Sequence, residues 1–447
     1  MRNQPLLSVG IMAEPCIGFE LEGTCFHEKM ELPPGFYSVE KSENNLILRG
    51  KEITIISENQ INLEPVSHSG SFLLKNVTFG IQFHWEQKED QRFTGSLRFI
   101  QEDGKVRAIN MVPLEDYLKS VISSEMSATA SPDLLKAHAV ISRSWLLAQM
   151  EKNKQITTSG NRYNPNEVSA EEIVRWYDRE DHHYFDVCAD DHCQRYQGIT
   201  KILTAKATEA VEATAGEVLM FGTEICDARF SKCCGGISES FENVWEPEPK
   251  PYLTAVTDNI PLGSIPQVDL TAEKAAVAWI SSAPDAFCNN SDPKVLHQIL
   301  PDFDRKTRDF YRWKVEYSQE EISSLIRKRS GIDFGKIIRL EPLQRGFSGR
   351  INRLRITGTI KTLIVGKELE IRKWLSPSHL YSSAFFTENE DVVDGIPGKI
   401  TLRGAGWGHG VGLCQIGAAV MGEMHFSYEE ILHHYFKNAT LTKLYEI

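Results

Sequence analysis

The run Pro113-Leu114-Glu115-Asp116-Tyr117-Leu118-Lys119-Ser120-Val121-Ile122-Ser123-Ser124-Glu125 decides how the rest of this 447-residue chain is read. Leu114, Leu118, Val121 and Ile122 recur at helical spacing, so an amphipathic helix is expected to start near Pro113. Glu125 falls three residues beyond Ile122 on the same stripe, which aims a carboxylate where apolar groups belong. A carboxyl desolvated in this way keeps its proton near neutral pH, the property a general acid needs. On the alternative reading the helix frays at Ser123-Ser124 and Glu125 faces water, as most glutamates do.

Downstream, Ser131 is a good N-cap, Pro132 suits the first helical position and Asp133 favours the positive end of the dipole, so a second helix is expected from Pro132 to about Glu151. Lys136, Val140, Arg143, Leu147 and Met150 share one face of it. Its two cations either lie at the surface or face Glu125 across a groove. Upstream, short alternating runs from Leu6 to about Met111, separated by turn residues such as Asn44-Asn45 and Gly50, read as β-rich. The expected fold class is therefore α+β. The β-rich part covers 1–111, the catalytic helices and a cysteine/histidine loop 112–258, a helical insertion 259–344, and a hairpin, glycine-rich loop and terminal helices 345–447.

Within these limits, Val218–Phe221 and Tyr252–Val256 are expected strands, and Arg353–Thr357 with Lys361–Val365 a hairpin. Two or three amphipathic helices are expected between 259 and 344. Ser427-Tyr428-Glu429-Glu430 is a capping box that should open a terminal helix carrying His433 and His434.

Composition excludes several function classes. Sixty-one acidic against forty-nine basic residues give a formal charge of −12, a field that repels a phosphate backbone, so nucleic acid is not an expected partner. With 41% hydrophobic residues and no run of about 18–20 uninterrupted apolar residues, no transmembrane helix is expected. The apolar run Leu6–Ala13, preceded by the single cation Arg2 and broken by Ser8 and Gly10, is a poor signal peptide. Nine cysteines cannot all pair within one chain, so at least one thiol is free, metal-bound or intermolecular.

Three further clusters could carry chemistry. His182, Cys188 and Cys193, with His183 and His192 beside them, are either zinc ligands or ordinary thiols and solvated histidines, since the spacing fits no standard finger. Cys233-Cys234-Gly235-Gly236 offers thiols next to small residues, either packed as hydrophobes or reactive if a base lies near. Gly404 to Gly412 places glycine at every second position, which as a strand would project Trp407 and His409 together as a sugar platform. The alternative is a tightly packed loop around a core tryptophan.

Taken together, the helix at Pro113-Leu114-Glu115-Asp116-Tyr117-Leu118 leading to Ser124-Glu125-Met126, then Leu135-Lys136-Ala137-His138-Ala139-Val140 to Arg143, resembles the SpoIID/LytB family of stage II sporulation protein D and amidase enhancers. Ala213-Thr214-Ala215-Gly216, Phe230-Ser231, Gly235-Gly236, Ser348-Gly349-Arg350 and Gly406 to Gly412 with Gln415 and Gly417-Ala418 extend the resemblance in the same order. It implies a mixed core built from noncontiguous segments around a groove. It also implies a peptidoglycan lytic transglycosylase that cuts peptide-stripped glycan strands at the cell envelope and leaves 1,6-anhydro-muramic acid ends. Glu125 then stands at the catalytic position. Lys136, Arg143, Gln194, Ser231, Gly235, Gly236, Trp407, His409 and Gln415 stand at substrate-binding positions, and His182, Cys188 and Cys193 at a structural zinc site, with no cofactor needed for the chemistry. The partners implied are glycan strands and a cell-wall amidase. The departures are Cys233-Cys234 where the family usually has serine or alanine, and Cys414. Two rival expectations are a noncatalytic glycan-binding enhancer and a thiol hydrolase using Cys233, Cys234 or Cys414 with His409.

Overall fold

A computed structural model describes residues 4–67, 70–80, 86–127, 130–159, 166–176, 182–190, 192–202, 205–299 and 309–446. The protein is α+β. Alternation along strands such as Gly35–Ser42 buries every second side chain, as with Tyr37 and Val39 between more exposed neighbours, and this one-faced pattern pairs two sheets over a common core. A seven-stranded sheet includes Leu6–Glu14, Lys105–Pro113 and Ser96–Glu102, and a six-stranded sheet includes Cys16–Leu21 and Gly35–Ser42. Phe19 of one sheet meets Phe99 of the other with ring centroids 5.1 Å apart.

Strand Lys105–Pro113 feeds straight into helix α1, Leu114–Glu125, whose first amide donates to Pro5 O at 2.9 Å. Leu114, Leu118, Val121 and Ile122 are fully buried on it, as their spacing requires. Helix α2, Pro132–Ser159, starts where expected, with the Ser131 hydroxyl accepting from Leu134 N at 3.3 Å, and runs past Glu151. Helix α3, Ala205–Ala213, packs on both.

Between 259 and 344 lie α4 (Glu273–Ser282), α5 (Pro293–Leu296) and α6 (Gln319–Ser330). The same stretch also supplies strands Arg312–Ser318 and Ile337–Arg345, which helical patterning did not anticipate. Ile337–Arg345 pairs antiparallel with Ile351–Gly358, and that strand with Thr362–Gly366, forming the expected hairpin. With α7, Glu368–Trp374, these strands enclose a second core around Trp313, Leu354, Phe385 and Leu402. The chain then returns to the first core. Helix α8, Gln415–Glu423, and helix α9, Tyr428–Tyr435, pack on α2, and Thr440–Lys443 pairs antiparallel with Glu217–Phe221, the strand expected at Val218–Phe221.

Two expectations fail for reasons of backbone bonding. Tyr252–Val256 forms no ladder, because Val256 exchanges its hydrogen bonds with Ser238, at 2.9 Å to the hydroxyl and 3.0 Å from the amide. From Gly406 the glycine-rich stretch is a loop, as expected, but its alternation does not carry Trp407 and His409 to one side. Gly406, Gly408, Gly410 and Gly412 have φ of 75°, 93°, 80° and 75°, so the chain curls at every second residue.

Candidate active site

Glu125 is the last residue of α1 and is half-buried. The apolar stripe continues not through it but through Met126, which leaves the helix in extended conformation and is itself buried. The carboxylate therefore sits at the rim of the core, neither sealed nor loose. Its Oε1 accepts from Arg195 N at 3.4 Å, and among the described residues it has no ion pair.

Arg195 belongs to the loop of the clustered histidines and cysteines, and that loop is anchored firmly. Val187–Cys188 adds a parallel strand to the edge of the seven-stranded sheet beside Val9 and Gly10. A Cβ at Gly10 would lie 2.6 Å from the Phe185 ring, so only glycine admits that ring, on which His182 then stacks at 4.5 Å. His182, Cys188, His192 and Cys193 bring their ligand atoms within 4.8 Å of one another. Cys193 Sγ lies 3.4 Å from His182 Nε2 and 3.6 Å from His192 Nδ1, close to the about 3.6 Å edge expected between sulfur and nitrogen around tetrahedral zinc. Contact with Cys193 above all, then with the two imidazoles, holds Cys188 far below the usual thiol range. The donor set fits a borderline-soft divalent cation, and it includes His192, which the sequence left beside the expected three.

Arg143 does not reach a groove. It is fully buried and forks onto Glu115, with Nε to Oε1 at 2.9 Å and Nη2 to Oε2 at 2.7 Å, while Nη1 donates to Glu217 O at 2.9 Å. Tyr445 completes the set by donating to Glu115 Oε1 at 2.5 Å. The expected substrate cation is thus a structural ion pair, because α1 presents Glu115 to it. Lys136 is half-buried, with its ammonium 5.6 Å from the centre of the Tyr428 ring on α9.

Gln194 and Gln415 are buried as well, and both belong to a polar chain between the helices. The Gln194 amide nitrogen donates to Ser142 O at 3.2 Å, and its oxygen accepts from Tyr117 OH at 3.4 Å. Gln415 Nε2 lies 3.2 Å from His138 Nε2, and His138 Nδ1 lies 3.3 Å from the Ser142 hydroxyl. Burial, and to a lesser extent Lys232, pushes His138 down to about 3, so its ring is neutral and accepts from Gln415. The two glutamines fix the helices behind Glu125 instead of offering hydrogen bonds to a ligand.

The glycine-rich loop wraps around Arg350, which is 1% exposed and donates to Gly408 O at 3.2 Å, Cys234 O at 3.0 Å and Ser348 Oγ at 2.9 Å. Glu239 fixes the other side of this hub, accepting from Ser348 Oγ at 2.6 Å and Phe347 N at 3.0 Å. Gly235 and Gly236 are buried turn residues against Gly406 and the Trp279 ring. Trp407 is half-buried between Phe310 and Tyr381, with centroids 4.6 Å from each. His409 packs on Trp245 at 5.1 Å, so it does not share a platform with Trp407. Burial first, then Arg229 and Arg350, hold His409 well below its ordinary value, and its Nδ1 accepts from Val411 N at 3.0 Å. Ser231, under Gly408, has a buried hydroxyl with no partner among the described residues.

The thiol-hydrolase expectation fails on access. Burial raises Cys233 and Cys234 well above the usual thiol range, and although neighbouring thiols outweigh burial at Cys414, Cys233 and Cys414 are 0% exposed and Cys234 2%.

Residues 102–221 match the family described as Stage II sporulation protein, and residues 239–412 match a family described only as a domain of unknown function. An uncharacterised protein of Brachyspira hyodysenteriae is 24% identical over 87% of this chain and 82% of its own length. Stage II sporulation protein D of Bacillus subtilis is 24% identical over 75% of the chain and 76% of its own length. The amidase enhancer of Bacillus subtilis is 25% identical over 73% of this chain, which spans only 40% of that relative.

Proposed function

This chain belongs to the SpoIID/LytB family, a cell-wall-related family, and on that premise we propose that it is a lytic transglycosylase with Glu125 as its single acid and base. The observation that carries the reading is the half-buried Glu125 carboxylate at the end of α1, held by the Arg195 amide and, among the described residues, committed to no cation. An ordinary glycosidase needs two carboxyl groups, one to protonate the leaving oxygen and one to attack or activate water. Here the substrate supplies its own nucleophile. Glu125 gives its proton to the glycosidic oxygen, the C–O bond to the leaving sugar breaks, and the muramic acid 6-hydroxyl closes on the anomeric carbon. The hydroxyl proton then passes to Glu125, which is restored. A strand lying over the rim displaces the remaining water from the carboxyl.

The cation set differs from that inferred from sequence, since Arg143 is spent on Glu115 while Lys136 stays half-buried beside Tyr428. Zinc on His182, Cys188, His192 and Cys193 would be structural: these donors end one residue before Gln194 and two before Arg195, so fixing Cys193 fixes the amide that orients Glu125. Peptide-stripped glycan incubated with wild type and Glu125→Gln tests the proposal by product mass. The wild type should release 1,6-anhydro ends, and the variant should be slower by about 10²–10⁴-fold while still binding glycan. Equal rates, or products carrying the mass of an added water, reject it.

The match to an amidase enhancer favours one second reading, a noncatalytic glycan-binding partner of an amidase. Glycan binding without any cleavage by the wild-type protein selects that reading.

A further inference from the structure

A second group of ligand-type side chains lies inside the protein, away from the histidine-containing loop. Cys234, Asp258, Cys288 and Cys414 are all buried, and their sulfur and carboxylate atoms lie within 4.8 Å of one another. Cys234 Sγ and Cys288 Sγ are 3.6 Å apart, against an edge of about 3.8 Å for two sulfurs bound to tetrahedral zinc. Cys414 Sγ accepts a hydrogen bond from Cys234 N at 3.2 Å, the kind of backbone donor that supports a thiolate.

The charge balance points the same way. Asp258 is 0% exposed and accepts from Cys288 N at 2.9 Å and Tyr435 OH at 2.7 Å. Its nearest basic side chain among the described residues is His434, with Nε2 at 3.8 Å, and no lysine or arginine pairs with it. A buried carboxylate among thiols without a permanent cation is costly, and a divalent ion removes that cost. A disulfide between two of these cysteines would leave the carboxylate and the third sulfur uncompensated.

We propose that Cys234, Cys288, Cys414 and Asp258 form a second, fully enclosed site for zinc or a similar thiophilic divalent cation. Each bound ion displaces the three thiol protons to solvent. The site ties together the Gly235-Gly236 turn, the segment before α5 and the start of α8. It also closes a neck: Cys234 and Cys414 flank the 239–412 segment on its two sides, while Asp258 and Cys288 lie inside it. The ion is a clamp that holds this segment, with its own core, on the catalytic half.

The test uses full-length protein purified under reductant without chelator, with metal content measured per chain. In the double variant Cys188→Ser/Cys193→Ser, which disables the histidine-containing loop, one equivalent of zinc should remain. Cobalt exchanged into it should give the intense charge-transfer band of a thiolate site, and adding Cys288→Ser should abolish that band. The decision rests on the double variant alone, whose folding does not depend on Cys288. A monodisperse double variant that binds no zinc or cobalt overturns the proposal, as does a non-reduced peptide map in which Cys234 and Cys288 are joined. A metal-free histidine-containing loop in the wild type alongside one retained equivalent would instead count against the first site only.

Discussion

At the scale of single residues, Arg143 and Glu125 show how chemically similar roles separate by position. Arg143 lies opposite the N-terminal turn of α1, where Glu115 offers a bidentate partner inside the core. Glu125 ends the same helix, where among the described residues no cation answers it. Removing Arg143 leaves the Glu115 carboxylate buried with, among the described residues, only Tyr445 OH and Gly216 N as donors. Arg143→Ala should therefore lose about 3–5 kcal/mol of stability, read as a lower urea midpoint. Arg143→Lys should recover only part, because an ammonium cannot fork onto both carboxylate oxygens. An unchanged midpoint with a raised KM for glycan would return Arg143 to the substrate groove. The sequence could not show this, since the partner lies 28 positions upstream on another helix and the spacing of Arg143 with Lys136 suggested a shared groove face. The spacing from Ile122 pointed to Glu125 as a candidate, but the stripe passes through Met126 instead, and the partial burial of Glu125 depends on where the helix stops.

Elements whose chemistry is local were readable in advance. The capping box at Ser427 forms as its residues dictate, with Ser427 Oγ accepting from Glu430 N at 3.3 Å, and Ser131 caps α2. The glycine-rich loop was not, because the rule that alternate residues share a face assumes extended φ, and these glycines are left-handed. What the glycines permit is contact with a buried guanidinium: a Cβ at Gly410 would lie 2.4 Å from Arg350 Cζ. Gly395 has a similar φ, 76°, but its added Cβ would meet nothing within 4 Å. Gly395→Ala should thus cost only the conformational term of about 1–2 kcal/mol. Gly410→Ala should cost markedly more and loosen Trp407, seen as a lower Tm together with a changed near-ultraviolet dichroism. Equal losses for the two variants would mean that Arg350 is not held by this loop. The buried cysteine group was illegible for a different reason, since its ligands span Cys234 to Cys414 with no repeating spacing and meet only when the two halves of the chain close.

For the whole molecule, neutral histidines held in different parts of the fold couple its stability to acid. His138 between α2 and α8 is pushed down to about 3 chiefly by burial. His379, beside the second core, is pushed down to about 3 by burial and then by Arg372, Lys373 and Arg329. His409 on the glycine-rich loop lies well below its ordinary value for the causes given above. In the unfolded chain each regains a value near 6.5. Between about pH 6.5 and pH 3 the unfolded state therefore binds protons that the native state refuses, so the stability these groups contribute is complete above pH 6.5 and is lost as pH falls. Each histidine of this kind adds a slope of at most about 1.4 kcal/mol per pH unit inside that window, and the half-buried His379 and His409 add less than the fully buried His138. Urea midpoints measured from pH 7 to pH 5 should fall steadily, in a range where most carboxylates remain ionised. His138→Gln, which keeps a side chain able to accept from Gln415, should flatten the fall by about one proton's worth while lowering the pH 7 midpoint. A midpoint that holds constant over that range, or a His138→Gln profile parallel to wild type, would mean that the imidazole between α2 and α8 takes up its proton without opening the core. The acid slope reports this placement because both cores and the loop between them contribute to it, whereas a cleavage assay reads only the rim around Glu125.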